Sequence, residues 1–141
     1  MIPLRLVVDT NIVVSAALKA DGLQRTVLLL AISKPARLNA SNAILTEYRD
    51  VLSRPELQIR KGLRRQFLDL IRRRAHLVDP VRTVRVAKDH DDDKFIECAD
   101  AARADYLVTG NLPDFSRFWK NTKIVTSREF LNLVAPHLIG E

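Results

Sequence analysis

Short apolar, strand-like runs alternate with stretches of helical periodicity along the whole chain, and no other feature of the sequence limits its fold so strongly. Leu4-Arg5-Leu6-Val7-Val8, Arg37-Leu38-Asn39-Ala40, Tyr106-Leu107-Val108-Thr109 and Lys123-Ile124-Val125 read as strands. Ala75-His76-Leu77-Val78 and residues 83–86 also look extended, with the turn signal Asp79-Pro80 between them. Near-continuous apolar strands are buried on both faces, and parallel neighbours need crossover connections that helices supply. The pattern therefore predicts an α/β protein, a three-layer α/β/α sandwich around a central parallel sheet. In such sheets the ligand crevice lies beyond the carboxyl ends of the strands.

Helical signals cover residues 13–18 and 23–32, separated by Asp21-Gly22 and closed by Lys34-Pro35. Ser41 or Asn42 can cap the next helix, in which Ile44, Leu45, Tyr48, Val51 and Leu52 recur at helical spacing until Ser53-Arg54-Pro55 stops it. Over 63–74, Leu63, Phe67, Leu70 and Ile71 form an inward face, with Arg65 and Arg72 on the opposite side. A helix over 94–102 follows the Asp-rich loop, and Ser127 reads as the cap of a closing helix that Pro136 limits. The 141 residues suit one domain spanning 1–141, large enough to bury roughly two-thirds of its unfolded surface. Repeats, linkers and low-complexity tracts are absent from the sequence.

With a single cysteine, Cys98, the chain has neither an internal disulfide nor a multi-cysteine metal site. No apolar run approaches the roughly eighteen residues a bilayer demands, and Met1-Ile2-Pro3-Leu4-Arg5 leads into a strand, unlike a signal peptide. A soluble, cytoplasmic protein without a membrane partner is expected. The formal net charge of +6 suggests an anionic partner but does not separate RNA from DNA, lipid or an acidic protein. Arg60, Lys61, Arg64 and Arg65, then Arg72, Arg73 and Arg74, crowd one region, whereas Asp89, Asp91, Asp92 and Asp93 stand together. A basic surface around an acidic focus suits a nuclease, since cations attract phosphate and carboxylates hold metal. Two solvated surfaces are the plainer reading of the same charges.

Four stretches carry possible chemistry. Asp9-Thr10-Asn11, at a strand exit, offers a carboxylate, a hydroxyl and an amide, although a strand-ending Asp also serves as a helix cap. Glu47 borders the apolar stripe of its helix, where it can reach a site at the sheet's edge or simply be solvated, whereas Asp50 points well away on the helical wheel and is expected to serve solubility. Clustered carboxylates at 89–93 exceed what a helix amino terminus needs, and a divalent cation is the usual means of making such clustering favourable. In Val108-Thr109-Gly110-Asn111, followed by Asp114, Thr109, Asn111 and Asp114 can orient water or bind phosphate, or simply form a turn. Oxygen donors suit Mg²⁺ or Mn²⁺, and His76, His90 and His137 lack the spacing of a zinc set.

Taken together, Val7-Val8-Asp9-Thr10-Asn11, Asp89-His90-Asp91-Asp92-Asp93-Lys94-Phe95, Tyr106-Leu107-Val108-Thr109-Gly110-Asn111 and Ser127-Arg128-Glu129-Phe130-Leu131 resemble the PIN-domain family. Within it, the resemblance is to the ribonuclease toxins of toxin–antitoxin pairs. It implies that Asp9, Glu47 and Asp92 hold a metal, with Asp93 assisting or replacing Asp92; the hydroxyl of Thr10 and the amide of Asn11 beside Asp9 are expected to orient substrate or water. It also implies an RNA substrate, a cognate antitoxin and a homodimer, and the cationic outer face over 63–74 makes Arg65 and Arg72 the expected RNA contacts. Where the family commonly carries a fourth acid, this chain has Asn111, which can bind a metal or its water through oxygen but adds no charge. The alternative is a catalytically silent PIN-like module that binds RNA or protein. A phosphatase-like domain with Asp9 as phosphoacceptor lacks the second acid expected at Asn11.

Overall fold

The computed structural model describes residues 3–139, the side chains of Asp114 and Ile139 excepted, so Met1 and Ile2 of the starting segment lie outside the described residues. The main elements run β1 (Arg5–Val8), α1 (Thr10–Leu18), α2 (Leu23–Ala31), β2 (Arg37–Ala40), α3 (Asn42–Leu52), α4 (Lys61–Arg74) and β3 (His76–Leu77), then α5 (Asp93–Ala102), β4 (Tyr106–Val108), β5 (Phe118–Trp119), β6 (Thr122–Val125) and α6 (Ser127–Val134). The strand order is β3-β2-β1-β4-β6-β5, with every pair parallel except β5 against β6. Leu6, Val7 and Val8 are all 0% exposed. Because successive strand residues point to opposite faces, both faces of the central strand are covered, as an α/β sandwich requires.

The chain builds β1, β2 and β3 outward in one direction, then returns to place β4 and β6 on the other side of β1. The junction of β1 and β4 is thus the topological switch point, where a crevice opens at the carboxyl ends. Val8 pairs with Val108, so Asp9 and Thr109 leave the sheet side by side. The Asp9 N–H still donates to the Val108 carbonyl, 2.9 Å away, which fixes that alignment one residue beyond the strand.

Several local expectations need correction. Residues 83–86 do not join the sheet; the N–H groups of Val84 and Val86 are taken by carboxylates of α5 instead. Ser127 is the first helical residue of α6, and Thr126 is its cap, exchanging hydrogen bonds with Glu129 in a capping box. Helix α1 begins at Thr10, well before residue 13, and buries Thr10, Ile12, Val13, Ala16 and Ala17. The antiparallel edge strand β5 was not anticipated, since two residues are too few for alternation to show. On α4 only Ile71 is fully buried, whereas Leu63, Phe67 and Leu70 are half-buried along a groove against α2.

Candidate active site

Asp9 occupies the cap position of α1, yet its side chain makes no capping hydrogen bond to that helix. Its Oδ2 instead accepts from the Thr109 hydroxyl at 2.7 Å and from the Asn11 amide at 3.3 Å. Thr109 is completely buried, and its hydroxyl oxygen also accepts the N–H of Asn111 at 3.0 Å. The turn is closed on its other side by the Gly110 N–H, which donates to Asn11 Oδ1 at 3.0 Å. A Cβ at position 110 would lie 3.3 Å from that same oxygen, so glycine permits the close approach. One buried carboxylate is thus oriented by the ends of two neighbouring strands.

Glu47 reaches the same place from α3. The helix starts where the Ser41 hydroxyl accepts the Ile44 N–H at 3.2 Å, in keeping with the expected cap. Tyr48, 0% exposed, donates its hydroxyl to the Val8 carbonyl and thereby ties α3 to the end of β1. Burial, with Cys98, Asp9 and Glu47 nearby, pushes the Tyr48 phenol well above its ordinary pKa, so it acts as a neutral donor. Next to it, Glu47 accepts the Thr10 hydroxyl on Oε2 and pairs through Oε1 with the Lys94 ammonium. Lys94 also stands 3.4 Å from Asp91. Burial opposes the charge of Lys94, but Glu47 and Asp91 outweigh it and hold the ammonium above its usual pKa.

Thr10, Asn11, Glu47, Asp91, Asp92 and Lys94 line a single cleft of about 730 Å³. Asp50 lines its outer part while keeping the solvent exposure expected of it, at 63%, because the cleft extends outward along α3. Neither Asp93 nor Asp9, which is 5% exposed, is among its lining residues. One Asp93 oxygen accepts the N–H groups of Val86 and Ala87, at 3.0 and 2.7 Å, and the other faces His90 Nδ1 at 3.0 Å. Although burial raises its pKa, the bonds from Ala87, His90 and Val86 prevail and keep the carboxyl below its ordinary range. Asp89 caps the short turn His90–Asp92 by accepting the Asp91 N–H at 3.0 Å. Much of the acidic run is therefore occupied locally, leaving Asp91 and Asp92 at the cleft.

Asn111 is exposed and outside the cleft lining, as are Arg65 and Arg72 on the outer face of α4; the side chain of Asp114 lies outside the described residues. Sequence reasoning missed Lys94 and the hydroxyl of Tyr48. The signal for Tyr48 was present, since a phenol within a buried stripe requires a hydrogen-bond partner. Nothing local singled out Lys94, whose partner Glu47 comes from another helix.

Among the described residues, no three His, Cys, Asp or Glu side chains stand close enough together to hold a metal ion. The donors around the cleft are nevertheless all oxygen, and one cation, the Lys94 ammonium, already sits against two of its carboxylates. In donor chemistry these residues fit a hard divalent cation.

A mostly parallel α/β sandwich whose carboxylate-lined cleft lies near its switch point belongs to the class of folds that places ligand sites beyond the strand ends. The profile of the PIN domain family matches residues 5–113, and the chain belongs to that family, with its nuclease fold. It is 26% identical to the uncharacterized protein MJ1680 of Methanocaldococcus jannaschii, over 92% of this chain and 91% of that one. A solved chain from VapBC2 of Rickettsia felis, crystallised bound to a DNA fragment from their promoter, superposes with a TM-score of 0.61. That match has 21% sequence identity and covers 87% of this chain and 98% of the other. Nucleases of the PIN family generally use divalent metals.

Proposed function

We propose that this protein is a metal-dependent endoribonuclease, with Mg²⁺ or Mn²⁺ as its cation, and the toxin of a toxin–antitoxin pair. The observation that carries this reading is the linked pair of carboxylates at the switch point: Asp9 held by Thr109 and Asn11, and Glu47 held by Thr10, the residue next to Asp9. Asp9, Glu47 and Asp92 are assigned to the cation in this reading; in the metal-free arrangement they do not stand close enough together to hold it, so binding would have to draw them in. When bound, it offsets the charge that builds on a phosphodiester as the bond breaks. The Thr109 hydroxyl aims the Asp9 carboxylate, and Tyr48 keeps Glu47 at the strand end by anchoring its helix. Thr10 and Asn11, on the cleft wall, orient substrate or water. In this reading Asp93 positions the residue before it, since its carboxylate anchors residues 86–90 beside Asp92. Asn111 braces the turn through its N–H, and its amide and Asp114 keep their proposed water- and substrate-orienting roles only for a substrate that extends beyond the cleft.

Arg65 and Arg72 supply phosphate contacts away from the cleft. A protein partner is supported by the groove of about 430 Å³ between α2 and α4, lined by Leu28, Leu29, Leu63, Phe67 and Leu70. The fold match within VapBC2 agrees with an antitoxin in that role, and a homodimer follows the family resemblance. A cytoplasmic site of action belongs to the same proposal; no helix among the described residues is long and apolar enough to cross a membrane.

The test is incubation of the purified chain with structured and unstructured RNAs in Mg²⁺, Mn²⁺ or chelator. Metal-dependent cleavage is expected. RNA binding that survives chelation without any cleavage would favour the silent-module reading instead.

A further inference from the structure

We propose that Lys94 is a built-in counter-cation of the cleft, holding Glu47 and Asp91 in the metal-free protein and releasing Glu47 when a divalent cation enters. The inference rests on the metal-dependent reading given above. Lys94 is the second residue of α5, where a positive charge opposes the helix macrodipole, so the helix itself does not explain a cation there. The carboxylates do. Its side chain is only 19% exposed and pairs with Glu47 from α3 and Asp91 from the preceding turn. Glu47 thereby has both oxygens engaged, Oε2 by Thr10 and Oε1 by Lys94.

A divalent ion bound to Glu47 would sit roughly 2.0–2.6 Å from a carboxylate oxygen, too near an ammonium on the same group for both to remain. The lysine has somewhere to go. Asp91 is 79% exposed, 3.4 Å from Nζ, and offers a second carboxylate toward solvent, which the flexible lysine stem can follow. Lys94 is thus a positioning residue: it keeps Glu47 in place while the metal is away and sets how strongly a metal must bind to displace it.

Calorimetric Mn²⁺ titration of the full chain tests this with wild type, Lys94→Gln and Lys94→Arg. Lys94→Gln should bind Mn²⁺ more tightly, on the order of tenfold, because it removes the competing charge. Its metal-free melting temperature should fall and be restored by Mn²⁺, while Lys94→Arg should stay near wild type in affinity. Equal or weaker Mn²⁺ binding by Lys94→Gln, with wild type still binding, would make Lys94 an ordinary ion pair and leave the nuclease reading intact. Absence of Mn²⁺ binding in both chains would overturn both ideas. Independently of whether the variants fold, labelling of wild-type Lys94 by an amine-reactive ester, read by mass spectrometry, should rise severalfold on adding Mn²⁺. Unchanged or reduced labelling would mean that the metal does not displace it.

Discussion

Glu47 draws its position from three other elements: Thr10 and Lys94 hold its oxygens, and Tyr48 next to it anchors the helix to β1. Glu47→Gln keeps the volume of the side chain but removes the charge offered to a cation. We expect RNA cleavage to drop on the order of 100-fold or more while circular dichroism stays native. Full activity in the variant would reduce Glu47 to a partner of Lys94. Asp9 and Asp92 make a second case at this scale. If both hold one cation, wild-type stability should rise with Mn²⁺ as RT ln(1 + [L]/Kd), and Asp9→Asn or Asp92→Asn should each lose most of that rise. Thermal melts over a Mn²⁺ titration decide it, and equal shifts in all three proteins would mean that the two acids do not share a site.

The elements are joined at the site by polar contacts between helices and strand ends. Tyr48→Phe removes the hydroxyl that α3 gives to the Val8 carbonyl. A loss of about 1 kcal/mol in urea denaturation is expected, together with reduced cleavage, since Glu47 would be less firmly placed. Unaltered activity would show that packing alone positions α3. At the opposite side of α5, Asp100 accepts Lys120 at 2.7 Å and the Trp119 indole N–H at 3.2 Å, clamping the β5–β6 turn to the helix. The Lys120 bond, opposed by burial and aided by Trp119, holds the Asp100 carboxyl below its ordinary range. Its contribution is therefore complete above the ordinary carboxylate pKa of about 3.9 and disappears as pH falls through the lower folded value. Asp100→Asn should be less stable than wild type near pH 7, by roughly 1 kcal/mol or less given the exposure of Lys120, with the gap closing below pH 4. A gap independent of pH would assign the effect to packing.

Across the whole molecule, charge is divided between a cleft rich in acids and an α4 surface rich in arginine. Attraction of a polyanion to that surface would act through counterion release, which leaves a signature in salt dependence. Replacing Arg65 and Arg72 together should weaken RNA binding more at low salt than at high salt and flatten the salt slope by up to about two phosphate contacts. Fluorescence anisotropy with a labelled RNA measures both quantities. An unchanged slope would return these arginines to ordinary solvation. The half-buried apolar residues of α4 separate this basic face from α2, so a protein seated in that groove would lie beside the proposed RNA path.

The sequence by itself determined the α/β class, the approximate strands and helices, and the placement of Asp9 at a strand exit and Glu47 on a helix flank. These follow from periods of two and 3.6 residues and from local cap chemistry, as with Ser41, all of which lie within a few positions along the chain. The order of the strands, the antiparallel β5 and the failure of residues 83–86 to pair were decided by tertiary structure. Periodicity marked 83–86 as extended, but the groups that take its N–H donors are Glu97 and Asp93, on a helix formed later in the chain. The same holds at the site. The sequence clusters Asp89, Asp91, Asp92 and Asp93 within five positions, yet Asp89 and Asp93 bind nearby backbone whereas Asp91 and Asp92 line the cleft. Which carboxylate meets backbone and which faces the cleft depends on register and packing between elements distant in sequence, and no local pattern carries that information.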